Sequence, residues 1–140
     1  METLSELLPD QNLIVQVHFE SCTLAEFIDL RKEQKANGWI KKGVNSLLVD
    51  LSGAPKVSLA DLKTYGQWAE ENLKELARSK TAIIVNTPQA AALTIMATSD
   101  LKGQRYIKQF STLNAAVRWL NVPKEAILEH FPQLEAVDLD

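Results

Sequence analysis

Cys22 is the only cysteine among 140 residues, so no intramolecular disulfide can form and nothing indicates a chain built for an oxidising compartment. Glycine is also sparse. Gly38, Gly43, Gly53, Gly66 and Gly103 lie far apart. A nucleotide cofactor needs glycines clustered between a strand and its helix, where backbone amides approach phosphate closely. With neither a dinucleotide fingerprint nor a phosphate-binding loop present, no cofactor is expected. Two histidines and one cysteine supply no metal-ligand spacing, so no metal is expected either. Positive charge is not in excess: 15 Lys and Arg face 18 Asp and Glu, for a net charge of -3. That balance gives no electrostatic case for gripping a phosphate backbone, and nucleic acid is not an expected partner. The longest apolar stretches, residues 46–51 and 90–97, fall far short of the ~20 residues of a bilayer span. The opening Met1-Glu2-Thr3-Leu4-Ser5-Glu6 is acidic where a secretory signal is basic. The expectation is a cytoplasmic protein that does not span a membrane.

Hydrophobic residues make up 46% and charged residues 24%, close to ordinary globular values, so collagen-like and disordered classes drop out. No repeat or Gly/Pro/Ser-rich linker divides the chain. One domain over residues 1–140 is expected, with a core of about 13–120 and an acidic helical extension over 121–140.

Leu13, Val15, Val17 and Phe19 alternate with Gln16 and His18, the period of a half-buried strand, while Ile14 breaks the alternation and points to partial cover on both faces. Pro9-Asp10-Gln11-Asn12 has turn chemistry, so residues 3–8 form either a short antiparallel edge strand or a frayed helical turn. Thr23-Leu24-Ala25-Glu26 reads as a capping box opening a helix that stops near Asn37-Gly38. On that helix Leu24, Phe27, Ile28 and Arg31 share a face.

Residues 46–51 are apolar up to Asp50, as in a strand buried on both faces of a parallel sheet. Ser58 caps a second helix in which Leu59, Leu62, Tyr65, Ala69, Leu73 and Leu76 recur at helical spacing for some five turns. Residues 81–85 form a further β-branched strand, and Thr87-Pro88 opens a third helix. Residues 105–110 read as a strand, and Ser111-Thr112 caps a helix ending at Trp119-Leu120. Beyond Pro123, Ile127, Leu128 and Phe131 share one side of a tail that is either a docked amphipathic helix or partly mobile. Four β-α units in succession predict an α/β fold with a four- or five-stranded, mostly parallel sheet covered by helices.

Chemistry is thinly represented. Cys22 and His18 are close enough in sequence for a strand end to meet the following loop, but the expected roles are a small semi-buried residue and a polar-face strand residue. Glu70-Glu71 reads as the solvated side of the long helix, pairing with Lys74. Trp68 and Trp119 read as core. Trp39, beside Gly38 and before Lys41-Lys42, sits in a connection and is a candidate contact residue if exposed.

The segment Leu47-Leu48-Val49-Asp50-Leu51-Ser52-Gly53, followed by a helix capped at Ser58, resembles the central strand and switch loop of STAS domains, the group of bacterial anti-sigma-factor antagonists and transporter cytoplasmic domains. The ending Ile107-Lys108-Gln109-Phe110-Ser111-Thr112 through Ala115-Ala116-Val117-Arg118-Trp119-Leu120 resembles the SpoIIAA-like branch of that superfamily. The likeness runs over residues 13–120 and implies a βα superhelix of four turns. In the family a serine of an Asp-Ser-Ser-Gly motif is phosphorylated to switch partner binding. Here the matching stretch is Lys56-Val57-Ser58-Leu59-Ala60-Asp61, and that motif is missing. Ser58 keeps the chemistry of a helix N-cap, where a phosphate would also be favoured.

The resemblance implies a non-enzymatic regulatory module with a protein partner, binding through Asp50, Ser52, Ser58 and the loop from 52 to 58. The alternative is a carrier of a small apolar ligand, because the SpoIIAA-like branch is also similar to the lipid-binding SEC14 group. An enzyme acting through Cys22 and His18 is a third reading. Self-pairing of an exposed sheet face or edge would give a homodimer.

Overall fold

The computed structural model describes residues 3–52, 58–99, 101 and 106–137. Five strands, β1 (Thr3–Leu8), β2 (Leu13–His18), β3 (Asn45–Asp50), β4 (Thr81–Val85) and β5 (Ile107–Phe110), lie side by side in sequence order. β1 is antiparallel to β2, and β2 to β5 run parallel. Residues 3–8 are therefore an edge strand. Pro9–Gln11 closes the hairpin in a tight 3-10 turn that ends at Asn12 in the left-handed region (φ 51°), where the Asn12 amide donates to the Gly43 carbonyl at 2.8 Å.

Parallel neighbours need crossovers, and α1 (Leu24–Ala36), α2 (Leu59–Asn72) and α3 (Pro88–Thr98) supply them. Thr23 and Ser58 each accept a hydrogen bond from the backbone N–H three residues on, and each receives the reciprocal carboxylate contact, so α1 and α2 both begin with capping boxes. Thr87 caps α3 and Thr112 caps α4 (Leu113–Leu120) in the same one-sided way. The long helix is shorter than its periodicity predicts: Leu73 leaves helical geometry (φ -119°, ψ 48°) to bury its side chain, and a 3-10 turn carries Leu76.

Strand alternation sorts side chains onto two faces. Leu13, Val15, Val17, Leu47, Val49, Ala82 and Ile84 face α4 and pack with Leu113, Ala116, Val117 and Leu120. The C-terminal extension docks on this same face. α5 (Lys124–His130) and the 3-10 segment after it add Ile127, Phe131, Leu134 and Val137 to the cluster. The opposite face lies under α1, α2 and α3 and is built differently. Ile14 packs there with Ile40, Val44 and Leu73, but Gln16, His18, Arg31, Gln34 and Ser46 are also buried on it. β2 is thus buried at all six positions rather than along one side, because helices cover both faces. Among the described residues no helix is long and apolar enough to cross a membrane.

Candidate functional site

Between the sheet and the layer of α1, α2 and α3 lies a cavity of about 740 Å³. Leu48, Ile83 and Val85 form its floor and Leu62, Ala97 and Leu101 much of its roof. Exposed Gln67 and Arg78 also line it, so it reaches solvent. From α1, Leu24, Phe27 and Arg31 reach the cavity, and Arg31 meets the sheet together with Gln34, so this helix turns buried polar side chains inward.

Those polar groups form one directed chain. Arg31 can only donate, and its Nη1 contacts Gln34 Oε1 at 2.7 Å. That contact fixes the Gln34 amide, whose Nε2 donates to Ser5 Oγ at 2.9 Å and to Gln16 Oε1 at 2.8 Å. Gln16 Nε2 must then donate to His18 Nε2, 2.7 Å away, which leaves the His18 proton on Nδ1. Thr3 Oγ1 at 3.2 Å and Cys22 Sγ at 3.6 Å sit beside that nitrogen. A second proton on His18 would point at the Gln16 donor, and the chain cannot reverse because Arg31 accepts nothing. Burial pushes the His18 pKa below its ordinary 6.5, and the Asp50 carboxylate offsets this only in part.

The structure therefore brings Cys22, His18 and Asp50 together, a closer association than the semi-buried thiol and polar-face histidine expected from sequence. Their protonation states oppose nucleophilic chemistry. Burial, with the carboxylates of Glu26 and Asp50, pushes the Cys22 thiol up to about 11, and the one imidazole nitrogen facing it already holds a proton.

Asp50 ends β3 and accepts from the Ser52 backbone N–H and hydroxyl, so its carboxylate holds the first turn of the following loop. Ser58 is exposed, and its hydroxyl accepts from the Asp61 N–H at 3.1 Å. Residues 53–57 of the loop expected to bind a partner lie outside the described residues. Asp50 lines the cavity mouth while Ser52 and Ser58 do not line it. Trp39 is half-buried against Ile14, Ile40, Val44 and Leu73, because the connection after α1 folds back under β2.

Comparison with family models, with curated proteins and with solved structures found no match to this chain. Its geometry has to speak for it. Among the described residues no cluster of His, Cys, Asp and Glu is placed to hold a metal ion.

Gln34 and the pairing of Tyr65 with Arg31 give no sign in the sequence; the visible signals are Arg31 sharing a helix face with Leu24, Phe27 and Ile28, and Ile14 breaking the alternation of β2, which together mark a covered polar face.

Proposed function

We propose that this chain is a non-catalytic binding protein for a small, largely apolar ligand held between the sheet and α1, α2 and α3. The cavity volume carries the reading. Because the cavity reaches solvent it holds water when empty, and water meets no polar partner along Leu48, Leu62, Ile83 and Val85. A guest with an apolar body releases that water, and the volume falls in the ~300–1,000 Å³ range of small-molecule sites. Native mass spectrometry of purified protein, followed by solvent extraction, is expected to find a co-purifying apolar compound. Apo protein alone, with no uptake of added alkyl compounds, would count against it.

The sequential sheet order, with α1, α2 and α3 on one face, supports the SpoIIAA-like resemblance. The same resemblance supports a second reading, a regulatory module with a protein partner, favoured by the exposed position of Ser58 at the start of the helix after β3. A pull-down comparing the natural chain with Ser58→Glu tests it: a partner captured by one and not the other is expected, and no specific capture by either defeats it.

A further inference from the structure

The polar pole of the cavity is short of hydrogen-bond acceptors. Arg31 is 2% exposed, and no carboxylate lies within 4.0 Å of its guanidinium among the described residues. Three of its five N–H donors are used, on Tyr65 Oη at 3.2 Å, Gln34 Oε1 at 2.7 Å and, at the long distance of 3.4 Å, Ser46 Oγ. One N–H on each Nη nitrogen is left over. Tyr65 Oη spends its acceptor capacity on Arg31, and its own proton has no acceptor among the described residues.

A second, independent signal sits at the same end of the sheet. Ser79 is 5% exposed, lines the cavity, and its hydroxyl has no partner among the described residues. It precedes β4, next to the Ser46 backbone N–H bonded to the Lys80 carbonyl. Five carboxylates line the cavity, Glu20, Asp50, Asp61, Glu70 and Glu71, and none reaches Arg31: Asp50 lies four residues along β3 from Ser46, about 13 Å away, and Asp61 accepts from the Ser58 N–H. Asp50 is moreover occupied by Ser52.

We infer that the ligand is a monoanionic amphiphile, an alkyl carboxylate, whose head group lies against Arg31 and Tyr65 and whose chain runs over Leu48, Ile83 and Val85. This rests on the ligand-binding reading above. One buried cation calls for one negative charge, and two leftover N–H groups on a planar guanidinium match the two oxygens of a carboxylate. Leaving such a charge unpaired in a low-dielectric site is costly, and since folding has already stripped the guanidinium of water, an arriving anion gives up only its own hydration.

Three probes of equal chain length separate the possibilities by calorimetric titration below their micellar concentrations: dodecanoate, dodecanol and dodecyltrimethylammonium. The natural chain is expected to bind dodecanoate at least about tenfold more tightly than dodecanol, and the cation most weakly. In Arg31→Met the preference for dodecanoate over dodecanol should disappear, with circular dichroism and thermal unfolding showing that the variant is folded. Tyr65→Phe keeps the ring and should lose part of the preference, an arm that stands even if Arg31→Met does not fold. Equal binding of acid and alcohol by the natural chain overturns the carboxylate assignment and leaves the apolar site standing. So does a preference that survives Arg31→Met. Binding of none of the three removes both.

Discussion

His18 is a base that the fold keeps neutral. Its Nε2 lone pair is committed to Gln16, its ring lies stacked on Phe27 with centroids 5.1 Å apart, and burial disfavours the charged form. An unfolded chain has no such constraint and takes up the proton near the ordinary value of 6.5. Below that pH the unfolded state binds more protons than the folded one, so stability must fall as pH falls through 6.5 and keep falling until the lower folded pKa is passed. Above 6.5 the His18 contribution is fully present and flat. Denaturant unfolding on both sides of this pH should show that loss, and His18→Gln, whose side-chain oxygen can still accept from Gln16, should show less of it. An equal loss in the variant would place the proton uptake elsewhere.

At the scale of the elements, α1 and β2 are joined by a polar seam in place of a hydrophobic one. Gln34 carries three contacts, to Arg31, Gln16 and Ser5, and lies 1% exposed. Gln34→Leu strands a buried donor and a buried acceptor, each worth about 1–3 kcal/mol, so a destabilisation of roughly 2–6 kcal/mol is expected by urea unfolding. Adding Gln16→Leu removes the acceptor that the first change orphaned, and the double variant should lose clearly less than the sum of the singles. Strict additivity would mean the amides do not act as one chain.

The same seam explains what the sequence made legible. Strands β2 to β4 and the caps at Thr23, Ser58, Thr87 and Thr112 follow from local chemistry, since β-branched runs and side-chain oxygens act within a few residues. Gln16 and His18 have the pattern of solvated positions, and only the tertiary placement of α1 turns them inward. Tyr65 gives no local sign that its hydroxyl meets Arg31, 34 residues away. Trp39 is the converse case: its sequence neighbours are charged, but its ring is partly packed by residues distant in sequence.

For the molecule as a whole, the two faces of the sheet divide the work. The face toward α4 is closely packed and apolar, and it has to hold the fold while the opposite face stands apart to leave a cavity. Much of that packing comes from the C-terminal extension. Ile127 and Leu134 are fully buried, Phe131 is 2% exposed and Val137 7%, all against residues such as Val15 and Leu47. Burying a side chain of this size contributes about 1.5–3 kcal/mol, so these four supply roughly 6–12 kcal/mol, comparable to the ~5–15 kcal/mol net stability of a domain. The acidic tail, although it reads as an appendage, is thus a structural wall of the core. A chain ending at Asn121 is expected to lose cooperative thermal unfolding and to bind a hydrophobic dye through the uncovered β2 and β3 face. If it instead unfolded sharply near the natural midpoint, the closely packed face would not be what holds the cavity open.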